Sequence, residues 1–152
     1  IANDNSNGQI VLSGLSSDID KFIETLKTKK IKNIKLPVSA PFHCKLMDKA
    51  TSIMRNKINS TNFEKPKNVI ISNVTGSETQ EIDKIKDLLI KQIESPVRWR
   101  ESVIYMIKNG VTNFIEIGPG KVLSGLVKRI DKTINVNTIN KPEDLKNIKP
   151  ND

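Results

Sequence analysis

One cysteine, one histidine, one tryptophan and one tyrosine stand in 152 residues, and aromatic residues make up only 4% of the chain. A single cysteine excludes an internal disulfide and lacks the spacing partners of a zinc site, so the composition fits a reducing cytoplasm and implies no metal. No apolar run approaches the roughly 20 residues that a membrane-spanning helix needs. An initiator methionine, a basic n-region and an apolar h-region are also lacking. The strand-like opening IANDNSNGQIVLSG is therefore expected to continue a longer protein, of which this is the C-terminal part.

What is present is charge and aliphatic side chains. A hydrophobic content of 36% with 28% charged residues is that of a soluble globular protein, and the length suits about one domain. The net charge of +8, from 25 basic and 17 acidic residues, speaks to an anionic partner: nucleic acid, membrane, or an acidic protein or phosphorylated ligand. The lysines are scattered through stretches such as KTKKIKNIK, interleaved with Asn and Ile. An AT-rich genome would produce the same pattern without any function. Few aromatics and no recognition-helix or stacking motif count against a nucleic-acid-binding module.

Periodicity predicts a strand over 8–14 and an amphipathic helix over 16–30, capped by Ser16 or Ser17, with Ile19, Phe22, Ile23 and Leu26 as its stripe. Residues 31–39 read as another strand. With residues 1–5 ending an earlier one, the order β, β, α, β is what remains of a split βαβ unit. A helix is predicted over 45–59, a buried parallel strand over 68–74 (NVIISNV) and a helix over 82–94. Ser95 would cap the next helix, with Pro96 at its first position and Gly110 at its end. A strand over 114–118, the Gly118-Pro119-Gly120 turn, a helix over 121–130 and a strand over 135–140 complete an α/β pattern with a parallel sheet. The tail holds at most one helical turn.

Two features carry candidate chemistry. The turn after FIEIGPG would aim the N–H groups of a helix start at the carboxyl edge of the sheet, although it lacks either nucleotide-binding glycine spacing. His43, in VSAPFHCKLMDKA, is the one side chain whose ordinary pKa lies near neutrality. A base needs a nucleophile within reach and a group orienting its second ring nitrogen. Adjacent Cys44 is a poor nucleophile for it, since neighbouring side chains diverge, and no G-x-S-x-G elbow occurs. A satisfied structural imidazole is the competing reading.

NSNGQIVLSG, LPVSAPFHCKLM, IISNVTG and IKQIESPVRWRESVIYMIKNGVTNFIEIGPGKVLSGLVKRI, in this order, resemble the second half of bacterial malonyl-CoA:acyl carrier protein transacylases. The resemblance covers residues 1 to about 140. It implies an enzyme in which a serine, activated by a histidine, takes malonyl from its CoA thioester and passes it to the phosphopantetheine thiol of acyl carrier protein. His43 matches that histidine, and Gln92 matches the glutamine whose carbonyl holds its ring where other hydrolases use a carboxylate. A Gln92→Glu exchange would then shift the balance between transfer and hydrolysis.

Asn5 and Gln9 match positions near the acyl channel, with Asn7 standing where many relatives have proline. Phe42 matches a residue that crowds an α-methyl group. The serine elbow, the arginine that clamps the malonyl carboxylate and a glutamine-rich loop would lie upstream, so this chain alone is expected neither to transfer malonyl nor to fold well. The resemblance implies a ferredoxin-like small subdomain ending at residue 39 and an α/β hydrolase-like core over 40–152. It implies malonyl-CoA as substrate, no resident cofactor or metal, a cytoplasmic monomer when intact, and no nucleic-acid or membrane partner. Because the carrier protein is acidic, Lys121, Lys128 and Arg129 become candidates for docking it. A non-catalytic docking subunit of the same fold is the alternative.

Overall fold

The computed structural model describes residues 1–147, which form six short strands and five α-helices. The strands are β1 (Asn3–Ser6), β2 (Gln9–Val11), β3 (Ile70–Ile71), β4 (Glu78–Thr79), β5 (Asn113–Ile117) and β6 (Asn135–Ile139). The helices are α1 (Ser16–Thr28), α2 (Asp48–Ser60), α3 (Ile82–Lys91), α4 (Trp99–Lys108) and α5 (Val122–Ile130). Short 3₁₀ turns lie at Lys45–Met47 and Pro142–Asn147. The fold is a mixed α/β arrangement with a parallel strand pair.

That pair is β5 and β6, in register from Asn113 opposite Asn135 to Ile117 opposite Ile139. Parallel neighbours need a crossover, and α5 provides it. Its apolar side meets α4, and Val103, Val127 and Ile134 form the cluster at the centre of the core, with Trp99, Met106, Phe114 and Val136 packed around it. Val103 is wholly buried. The antiparallel hairpin β1–β2 is fastened to this body through the linker between α3 and α4: Asp4 N donates to Val97 O (2.9 Å) and Val97 N to Ala2 O (2.7 Å). The Arg100 guanidinium adds a two-pronged grip on the Asp4 carboxylate, at 3.0 and 2.7 Å.

Five expectations need correction. Residues 31–39 form no strand, because no strand among the described residues lies beside them and Pro37 lacks an N–H; Ile34 is 77% exposed. The predicted parallel strand over 68–74 shrinks to Ile70–Ile71, paired antiparallel with β4, and Val69 and Ile70 face solvent rather than a covering layer. The helix predicted over 82–94 stops at Lys91, and α4 begins at Trp99 rather than after Ser95. The physical reason is local: the bonds of Val97 to β1 and of Arg98 N to Asn73 O (2.9 Å) divert residues 95–98 from the helix that the Ser-Pro signal announces. At α1 the cap position is Leu15, without a side-chain cap, instead of Ser16 or Ser17.

Candidate active site

His43 sits in a tight loop between Pro41 and the 3₁₀ turn. The Cys44 thiol donates to the Pro41 carbonyl (3.1 Å) and itself accepts from Ser13 Oγ (3.6 Å), so Cys44 closes the loop instead of pairing with the imidazole. The backbone of His43 has φ +60°, a region that side-chain-bearing residues rarely enter. Residues held there cost about 1–3 kcal/mol and persist only where surrounding contacts over-determine them. One such contact is a bond from ring to helix end: His43 Nδ1 lies 2.9 Å from the Gln92 main-chain oxygen. A carbonyl can only accept, so Nδ1 carries a proton, and in the neutral ring the lone pair lies on Nε2.

Gln92 is the C-cap residue of α3. The last carbonyls of a helix have no partner within it, and here one of them serves as the acceptor for the ring. This corrects the effect expected of a Gln92→Glu exchange. Because the acceptor is backbone, a Gln92→Glu exchange would not place a carboxylate on the histidine. The side chain of Gln92 points elsewhere, its Oε1 accepting from Asn73 Nδ2 (3.3 Å).

His43, Gln92, Asn73 and Phe42 line one open cleft of about 590 Å³, whose remaining wall is apolar: Met47, Ala50, Met54 and Ile58 from the α2 side, Leu89, Ile93 and Val97 from the other. None of the lining residues is a lysine or arginine. An apolar wall beside a lone basic nitrogen suits proton transfer at a bound acyl group more than recognition of a charged one. Phe42 is half exposed at the rim. Asn5, within β1, and Gln9, at the start of β2, lie outside this lining. Gln9 Oε1 instead accepts from Arg129 Nη1, joining two candidates 120 residues apart. Lys128 reaches the Lys132 carbonyl (3.3 Å), and Lys121 stands at the opposite end of α5, exposed.

The glycine turn before α5 is not an open cradle for an anion. Gly118 and Gly120 adopt φ +136° and +95°, which accounts for glycine at both. Gly120 N donates to Asn140 Oδ1 (2.5 Å) and Gly118 N to Ile139 O (2.9 Å). The Glu116 carboxylate takes Leu123 N (3.1 Å), Ser124 N (2.8 Å) and Ser124 Oγ (2.6 Å). A negative side chain from β5 thus already occupies the positive end of the helix. The Ser124 hydroxyl foremost, against the opposing effect of burial and helped by the Ser124 and Leu123 amides, holds Glu116 below its ordinary 4.5. A carboxylate with a lowered folded pKa stabilises above the unfolded value and loses that contribution as pH falls through the folded one. Glu116→Gln should therefore be less stable than the parent at neutral pH, with the gap narrowing below 4.5; urea titrations at a series of pH values measure it, and a gap constant with pH would refute the assignment.

Sequence reading missed Asn73, the Asp4–Arg100 grip and the Glu116 cap. The signal available for Asn73 was a polar residue inside the apolar run NVIISNV. Among the described residues no group of three or more His, Cys, Asp or Glu is placed to hold a metal ion, and no helix is long and apolar enough to cross a membrane.

No protein-family model matches the chain. It is 40% identical over 146 residues to the malonyl CoA-acyl carrier protein transacylase of Bacillus subtilis (strain 168), a match that takes in 95% of this chain and 46% of that protein. Among solved structures, the acyl-carrier-protein-S-malonyltransferase of Bartonella henselae superposes with a TM-score of 0.92 at 40% identity, over 97% of this chain and 47% of that one. A type II PKS acyl-carrier protein in complex with its malonyl-transacylase gives 0.89 at 34%, over 95% of this chain and 47% of that one. The chain spans about half the length of the curated relatives it matches, and the expected resemblance is present along nearly all of it.

Proposed function

We propose that this chain supplies the base and the carrier-facing half of a malonyltransferase, moving malonyl from CoA to the phosphopantetheine thiol of an acyl carrier protein in the cytoplasm. The observation that carries the reading is the 2.9 Å contact between His43 Nδ1 and the Gln92 carbonyl, which favours the proton on Nδ1 and so supports Nε2 as the base. The names of its relatives supply the substrate and the acceptor.

The nucleophile would be a serine outside these 152 residues. Nε2 takes the serine proton as the oxygen attacks the thioester carbonyl; the carbon–sulfur bond breaks, and the imidazolium returns the proton to the departing CoA thiolate. In the second half Nε2 takes the proton of the carrier thiol, the sulfur attacks the malonyl ester, and the proton goes back to serine. A neutral carbonyl orients the ring without adding the negative charge of a carboxylate. That suits acceptance by a thiol, whose ordinary pKa near 8.5 makes it easy to deprotonate, over acceptance by water. In this reading residues 1–39 end a ferredoxin-like subdomain and 40–152 continue an α/β hydrolase-like core, with Phe42 limiting the bulk of the acyl group. Asn5 and Gln9 border the pantetheine path. The decisive assay incubates the protein that carries this chain with radiolabelled malonyl-CoA and holo carrier protein. Label should reach the carrier with ping-pong kinetics, and a carrier left unlabelled would overturn the proposal.

Lys121, Lys128 and Arg129 are proposed to meet the acidic carrier. The helical rise places the two ends of this set about 12 Å apart along α5, comparable with the Debye length of about 10 Å at 0.1 M salt. Changing all three to alanine should raise KM for the carrier several-fold, leave the CoA half-reaction intact and flatten the salt dependence. Since Arg129 also holds Gln9, the Lys121→Ala/Lys128→Ala pair is the cleaner variant. Carrier titrations at two ionic strengths decide it, and an unchanged salt slope would remove the assignment.

A further inference from the structure

The segment that presents the Gln92 carbonyl is irregular backbone, residues 92–98, between the end of α3 and the start of α4. Its two ends are gripped by the same residue. Asn73 Nδ2 donates to Gln92 Oε1 (3.3 Å), and the Asn73 carbonyl accepts from Arg98 N (2.9 Å). Asn73 is itself held in a tight turn: Ser72 N donates to Ser77 O (3.0 Å), Gly76 N to Ser72 O (2.8 Å) and Val74 N to Ser72 Oγ (3.2 Å). It lines the cleft beside His43 without a bond to the ring.

We infer that Asn73 is a positioning residue for His43, acting through the side chain of Gln92 to hold the main-chain acceptor against Nδ1. The inference deepens the proposed transferase site and rests on that reading. A main-chain carbonyl at a helix end can turn with its peptide plane, and neighbouring contacts are what fix its direction. The amide pair from Asn73 to Gln92 supplies one on the residue itself. Without it the carbonyl swings, Nδ1 loses a fixed acceptor, and the ring samples both tautomers. Only the tautomer with the proton on Nδ1 leaves Nε2 as a base.

The test uses the protein that carries this chain, with Asn73→Ala, Gln92→Ala and the double variant, and Asn73→Leu as a volume-conserving replacement should alanine impair folding. Each single variant should lower kcat for malonyl transfer about tenfold, since displacements of a fraction of an ångström at a reacting group have effects of this order. KM for malonyl-CoA should stay within about twofold, as a loss confined to the chemical step predicts. The double variant should be no slower than either single one, because the two side chains act as one link. Losses that multiply to about a hundredfold, or single variants with unchanged kcat, would overturn the inference. A second readout is independent of activity: in ¹⁵N spectra the ring signals assigned by their loss in His43→Gln should move from the Nδ1–H pattern toward a tautomer mixture in Asn73→Ala. An unmoved ring signal refutes the role of Asn73 even in a protein that transfers no malonyl, whereas absence of transfer in the parent with a moved ring signal refutes only the proposed activity.

Discussion

Replacing His43 by alanine in the protein that carries this chain should lower kcat for malonyl transfer about 10²- to 10⁴-fold, the usual contribution of a positioned general base. The argument is geometric. The ring is tied at one nitrogen to a group that can only accept, so the other nitrogen is the only one able to take a proton from an incoming hydroxyl or thiol. Among the described residues lining the cleft no second imidazole, carboxylate or lysine is present to substitute for it. The cleft walls that would contact the acyl thioester are unchanged by the substitution, so KM for malonyl-CoA should move little. In the proposed mechanism both half-reactions use the same nitrogen and should slow together: trapping of labelled malonyl on the enzyme and its discharge onto carrier thiol. Single-turnover measurements of each check this. A loss of less than about tenfold in either half would show that another group acts as the base there.

The largest effect on stability is expected at Ile134. It is 5% exposed, stands just ahead of β6 and packs with Val103 of α4 and Val127 of α5. Truncating a buried isoleucine removes its transfer energy and leaves a cavity that surrounding helices only partly fill, so Ile134→Ala should destabilise by about 2–5 kcal/mol. This is a large fraction of the stability of an ordinary domain. The matched control is Ile34→Ala, where the side chain is 77% exposed and the change should fall within about 0.5 kcal/mol. Equilibrium unfolding in urea, with both variants compared at constant slope, measures the difference. Equal effects at the two positions would mean that the cluster of α4, α5 and the segment before β6 is not where the core lies.

The parts of this fold that were legible in the sequence are those whose signal is periodic and local. Helices α1 to α5 and the parallel pair β5–β6 follow from apolar spacing and from the glycine turn between β5 and α5. The failures share one cause. Whether 31–39 or 68–74 becomes a strand depends on a partner elsewhere in the chain, and nothing within IKNIKLPVS or NVIISNV records whether that partner is there. The Ser95-Pro96 start signal is equally sound as local chemistry, yet it loses to the backbone bonds that Val97 makes with β1.

The site divides in the same way. His43 and Gln92 were singled out by the recognisable motifs around them. The kind of acceptor was not, since a main-chain oxygen has no residue letter: any residue at position 92 offers one, and the glutamine is explained only by its side chain reaching Asn73. Asn5 and Gln9 were selected by motif as well; neither is among the residues lining the His43 cleft, and Gln9 is bonded to Arg129.

The left-handed backbone of His43 also bears on how this protein can be engineered. With φ at +60°, position 43 asks sterically for glycine or asparagine, while the proposed chemistry asks for imidazole. Folding and catalysis thus rank the twenty residues at this position differently. A library selected for melting temperature alone would drift away from histidine here and return variants that are sturdier and inert. Stabilisation campaigns on this chain should therefore hold residue 43 fixed and seek their gains at positions whose backbone carries no such conflict.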